Sequence, residues 1–157
     1  MKKLITLMVA GLMLVACNVF ANDNYTALTN PIYQIQQTVD YDDFTDGGST
    51  AGTLNLTPTI PAGAIPLAWK AVVSTGFTGD TSATLLVGIT GDTDRFSASD
   101  GQNIFAAGTF TESSIGEAVS GDGGGSAQTV LLTLTSASDF GAVEAGSMVL
   151  TIFYIRP

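Results

Sequence analysis

Apolar and polar residues alternate along most of this chain with the period of β-strands. Tyr33, Ile35, Val39 and Tyr41 interleave with Gln34, Gln36, Thr38 and Asp40. A period of two turns one set to a core and the other to solvent, so both tyrosines are expected in the core. Leu54 and Leu56 alternate with Thr53, Asn55 and Thr57 as a second strand. Leu67, Trp69, Ala71 and Val73 share one face of the next, and Leu85, Val87 and Ile89 one face of the strand after it. Val130, Leu132 and Leu134 alternate with Thr129, Thr133 and Thr135. The segment from Ser147 to Arg156 carries Met148, Leu150, Ile152 and Tyr154 on one face and Val149, Phe153 and Ile155 on the other. Apolar residues on both faces predict burial on both sides.

Turn chemistry separates these strands. Pro58 and Pro61 flank Ile60, and Ile60-Pro61-Ala62-Gly63-Ala64-Ile65 reads as a tight connection because neither proline can donate to a ladder. Phe77-Thr78-Gly79-Asp80 turns the chain, and Gly91 to Gly101 is a polar loop holding Phe96. Asn103 to Phe110 reads as a further short strand. The run from Gly121 to Ser126 is expected to be the most flexible stretch, since glycine loses the most entropy on ordering. Asp139-Phe140-Gly141 opens a last turn that Gly146 closes. Roughly seven short strands without a helix predict an all-β domain, an antiparallel β-sandwich of jelly-roll type.

The N-terminus has another character. Met1-Lys2-Lys3 precedes an apolar run from Leu4 to Ala16, the arrangement of a secretory leader. The run is shorter than the roughly 20 residues a membrane span needs. Three fates fit it: cleavage after Ala21, a lipobox at Leu14-Val15-Ala16-Cys17 that leaves a lipid on Cys17, or retention as a helix docked into an assembly. The expected organisation is a leader over 1–21, a linker over 22–31 and one β-sandwich domain over 32–157.

Charge narrows the partners. The chain has 157 residues, fourteen acids, five bases and a formal charge of −9. Lys2 and Lys3 lie in the leader, so Lys70, Arg95 and Arg156 are the only bases beyond it. A nucleic-acid surface needs clustered Lys and Arg, which excludes that class. Contact with a membrane is expected only through the leader or a lipid on Cys17.

Candidate chemistry is sparse. There is no histidine, and the only cysteine is Cys17. A general base of the usual kind and a thiol nucleophile are therefore both missing from the body, and neither catalytic residues nor a cofactor are expected. Asp92, Asp94 and Asp100 are a weak Ca²⁺ candidate, because oxygen donors suit a hard ion, but the spacing is not that of a full calcium loop. Asp42, Asp43 and Asp46 could in principle supply a glycosidase pair, and read better as solvated loop acids. Trp69 keeps phase with apolar neighbours, which favours a core ring over a sugar-stacking one.

From Asp43 to Tyr154 the chain resembles small β-sandwich virion structural proteins of tailed bacteriophages, of the capsid-decoration or head-fibre type. The likeness is carried by Ile60-Pro61-Ala62-Gly63-Ala64, Val72-Val73-Ser74-Thr75-Gly76-Phe77-Thr78-Gly79, and Val87-Gly88 leading to Gly91-Asp92-Thr93-Asp94-Arg95-Phe96. The closing segment from Ala145 to Tyr154 fits the same pattern. The resemblance implies assembly on a particle, with a protein lattice or further copies of the chain as partners, a homo-oligomer, and a virion location. The leader departs from that pattern and points to the alternative, an exported surface protein or lipoprotein with a binding or adhesion domain.

Overall fold

In the computed structural model, residues 31–113 and 126–156 are described. The leader with its sites at Cys17 and Ala21, nearly all of the linker, and the glycine-rich run over 121–125 lie outside the described residues.

Each alternating segment forms a strand. They are β1 (Ile32–Asp40), β2 (Thr45–Asp46), β3 (Ala51–Asn55), β4 (Ile65–Thr78), β5 (Ala83–Gly88), β6 (Gln102–Asn103), β7 (Gly108–Glu112), β8 (Leu131–Ser136) and β9 (Ala145–Ile155). Two single 3-10 turns, Tyr41–Asp43 and Phe140–Ala142, link them. One sheet has the order β1-β9-β4-β7 and the other β2-β3-β8-β5-β6, with every pairing antiparallel. With the two-residue β2 set aside, the other eight strands follow the double Greek-key order of a jelly roll.

The core lies between the sheets. Met148, Leu150 and Ile152 of β9 meet Val39 of β1 and Trp69, Ala71 and Val73 of β4 along one wall. Leu85 and Val87 of β5 with Leu132 and Leu134 of β8 form the other, and all are buried. Phe44 plugs one end, edge-on to Phe77 at 6.1 Å and tilted against Phe140 at 6.0 Å. Trp69 fills the wall of the longest strand, and its indole N–H donates to the carbonyl of Phe96 at 2.7 Å. Phe96 is itself buried although it sits in a polar loop, held there by its amide bond to the Val87 carbonyl at 2.9 Å.

Five expectations need correction. Tyr41 lies in the 3-10 turn and is exposed, because the side chain of Asp43 accepts from the Asp40 amide and ends the strand one residue earlier. Tyr33 keeps its inward phase opposite Tyr154 but stays partly exposed at the end of the sandwich. The segment from Asn103 to Phe110 is not one strand: its two ends belong to β6 and β7, in different sheets. The expected burial of β9 on both faces is incomplete, since its outward residues Val149, Phe153 and Ile155 are only half-buried. Leu67 also reaches the core incompletely, since the register of β4 shifts between Pro66 and Ala68.

Candidate interaction surface

Register decides which side chains share the outer face of the four-stranded sheet. Val39 opposite Met148 and Trp69 opposite Ile152 point inward, so the residues between them in sequence point out. Read across β1, β9, β4 and β7, the outward rows are Ile32, Ile155, Ile65, then Gln34, Phe153, Ala68, then Gln36, Thr151, Lys70, Thr111, then Thr38, Val149, Val72, Thr109. The two central strands are thus mainly apolar on this face, and the flanking strands are polar and mostly uncharged. An open antiparallel face is ordinarily polar. An apolar centre inside a polar rim is instead the layout of a protein–protein contact.

Val72, in the last of these rows, is 39% exposed, and Ile32 at the opposite end is 67% exposed. Lys70 is the one charged side chain in the four rows, with Asp40 beyond them opposite Ser147. Gln36 donates from Nε2 to Oγ1 of the buried Thr151 at 2.9 Å, satisfying the polar pair that interrupts the apolar centre. At the Ile32 end, Tyr33 stacks on Tyr154 at 5.6 Å and the Arg156 guanidinium sits 5.3 Å from the Tyr33 ring centre. The cation over the ring ties the start of β1 to the end of β9.

The other described acids lie away from these rows. Asp42 and Asp43 are in the first 3-10 turn, and Asp46 accepts from the Gly48 amide at 2.7 Å. Asp80 clamps two loops: its Oδ2 accepts from the Ser138 amide at 2.7 Å, the Ser138 hydroxyl at 3.0 Å and the Asp139 amide at 3.4 Å. The Ser138 amide, with further donors from Thr81, Ser138 Oγ and Asp139, holds the carboxyl far below the usual carboxylate range. The candidate calcium ligands serve the loop after β5. Asp92 takes a bond from Arg95 at 3.3 Å, the Asp94 carbonyl accepts from the Ser97 amide, and Asp100 is exposed just before β6. Among the described residues, no three acidic side chains are grouped so as to hold a metal ion.

Trp69 is 1% exposed and therefore a core ring. Glu112 is the charged residue that sequence reasoning passed over. It pairs in register with Trp69, and its Oε1 accepts from the Ala98 amide at 2.7 Å, fastening the loop after β5 to the edge strand β7. The outer face itself had a signal in the sequence, the two-sided apolar pattern of Ser147 to Arg156. What that pattern lacked was the neighbours: Ile65, Ala68 and Val72 join the face only through the pairing of β4 with β9.

Fold and surface together define a jelly-roll sandwich with one apolar-centred outer face. No family model matches the chain, and no curated protein matches it. Among solved structures, it is similar to a chain of the cyanophage Pam1 capsid asymmetric unit, with 18% identity and a TM-score of 0.49 over 87% of this chain and 98% of that one. It is also similar to a chain of Bacillus endospore appendages, described as disulfide-linked pili, with 16% identity and a TM-score of 0.34 over 86% of this chain and 100% of that one. Likenesses this distant carry no argument about activity or partner.

Proposed function

We propose that this chain is a non-enzymatic structural protein that works by protein–protein assembly, as a virion component of the capsid-decoration or head- or tail-associated kind. The observation that carries the reading is the outer face of β1, β9, β4 and β7, apolar at its centre and nearly free of charge on a chain of formal charge −9. Water on that face is unfavourable by about 25 cal/mol for each Å² of apolar surface, so a covering protein gains what solvent loses. Jelly rolls build both capsids and lectins, so fold alone does not choose between them. The surface favours assembly, and the sequence resemblance from Asp43 to Tyr154 supplies the virion setting. On this reading the domain has no catalytic residues and needs no cofactor.

The second reading, an exported surface protein or lipoprotein, is favoured by the run from Met1 to Ala16. Mass spectrometry of the protein from its source separates the two. An intact Met1 in a purified particle supports the virion reading. An N-terminus at Asn22, or a diacylated Cys17 in a membrane fraction, refutes it in favour of export.

A further inference from the structure

We infer that the cluster of Tyr33, Tyr154 and Arg156, at the Ile32 end of the sandwich, is an anchor point of the assembly contact that takes a carboxylate from an acidic side chain of a partner protein. The inference rests on the assembly reading and names the partner's chemistry at this end. Tyr33 and Tyr154 are paired across β1 and β9, with their rings 5.6 Å apart and 21° from parallel. The Arg156 guanidinium lies 5.3 Å from the Tyr33 ring centre and 5.9 Å from that of Tyr154. Tyr154 is buried, whereas Tyr33 is 39% exposed and Arg156 is exposed.

Ring contacts position a guanidinium but leave its N–H donors without an acceptor. Among the described residues Arg156 makes no hydrogen bond and no ion pair, although the chain has fourteen acids against five bases. Arg95, by contrast, is held by Asp92. A planar fork of donors matches a carboxylate two bonds at a time. The rings hold that fork in place before a partner arrives, so less side-chain freedom is lost on binding. Tyrosine and arginine are also the residue types that dominate the energy of protein contacts, and the exposed Ile32 beside them adds an apolar margin.

Other ligands fit this end less well. A phosphate calls for more than one base, and Lys70, the other base on these strands, is two rows further along the sheet. An acidic sugar needs partners for its hydroxyls, but the residues in register here, Ile32, Ile155, Ile65 and Pro66, have no hydrogen-bonding side chain. A second copy of the chain has few carboxylates to offer. Asp43, Asp46, Asp80, Asp92, Asp139 and Glu112 already accept bonds within their own chain. The carboxylate is therefore assigned to a different protein.

The test has two arms, both on the full chain. In the first, sodium butyrate stands in for a glutamate side chain and is titrated while NMR follows the Arg156 Nε–H and the Tyr33 ring. Both signals should shift together and saturate with a dissociation constant of about 10–50 mM, while Arg95 barely moves. Equal shifts at Arg95 and Arg156 overturn the inference, as does tighter binding of inorganic phosphate or N-acetylneuraminate than of butyrate. The second arm is co-sedimentation with particles from the protein's source, stripped of the native protein, for wild type, Arg156→Lys and Tyr33→Leu. Circular dichroism checks that each variant keeps its strands. Arg156→Lys keeps the charge but loses the fork, and should bind about tenfold more weakly. Tyr33→Leu keeps apolar bulk but loses the stack, and should bind about threefold more weakly. Wild-type affinity in Arg156→Lys overturns the inference and leaves the assembly reading standing. No binding by the wild type removes that reading and the inference with it. Self-association of the wild type that Arg156→Lys abolishes overturns the choice of partner.

Discussion

Replacing Trp69 by alanine removes the largest side chain of the core wall. The ring is 1% exposed and packs in β4 between Ile152 of β9 and Glu112 of β7. A buried tryptophan removes 150–250 Å² from water, which at about 25 cal/mol per Å² gives an upper bound of about 4–6 kcal/mol. Measured truncations of this kind cost about 3–5 kcal/mol, cavity included. The substitution also strips the Phe96 carbonyl of its donor, and an orphaned buried acceptor costs about 1–3 kcal/mol unless water reaches it. We therefore expect Trp69→Ala to lose about 4–5 kcal/mol, roughly a quarter or more of the stability of an ordinary domain. Trp69→Phe keeps most of the volume and deletes only the donor, so it should lose about 1–3 kcal/mol. Urea unfolding followed by far-UV circular dichroism is the assay, because Trp69 is the only tryptophan and its fluorescence disappears with the mutation. A loss below about 0.5 kcal/mol for Trp69→Ala would place the ring outside the core and refute the packing described here.

Other expectations follow from named contacts. Asp80 has a carboxyl pKa lowered by the Ser138 amide and its companions, so its stabilisation is full above the ordinary value of 3.8 and is lost as pH falls below it toward the depressed folded value. Accordingly, the stability gap between wild type and Asp80→Asn should be constant near about pH 6 and shrink toward about pH 2; a gap that widens on acidification would reverse the assigned sign. Gly79 has φ of 122°, and a methyl there would run into the Ala142 carbonyl and the Glu144 amide, so Gly79→Ala should cost about 2–4 kcal/mol in urea unfolding. A neutral Gly79→Ala would mean that this turn is free to move. Calcium calorimetry should find no site tighter than about 1 mM, and micromolar binding abolished by Asp94→Ala would establish Asp92, Asp94 and Asp100 as ligands after all.

The strands were readable because their faces face different solvents. Leu132 and Leu134 against Thr133 and Thr135, or Met148, Leu150 and Ile152 in β9, carry the period of two that a half-buried sheet imposes, and each of these apolar residues is buried. The pattern failed where local chemistry overrode it. Tyr41 continues the alternation of β1 but follows Asp40, whose amide is captured by Asp43, so the chain leaves the sheet first. Phe96 was hidden by the polar loop around it, and its burial depends on distant partners, Val87 and Trp69. The jelly-roll order was legible only as a class. Which strands are neighbours is a long-range property, and β1 pairs with β9 across more than a hundred residues. The candidate surface shows the same division. The apolar outer side of β9 could be seen in the sequence, whereas the contributions of Ile65, Ala68 and Val72 appear only once β4 is set beside it.

Co-sedimentation of the purified full chain with particles from its source, stripped of the native protein, tests the central claim directly. The wild type should bind saturably, and Val72→Glu, changed only on the exposed outer face, should lose at least about tenfold in affinity while keeping its fold. Binding by Val72→Glu equal to that of the wild type, or no binding by either, would contradict the assignment of this face to assembly.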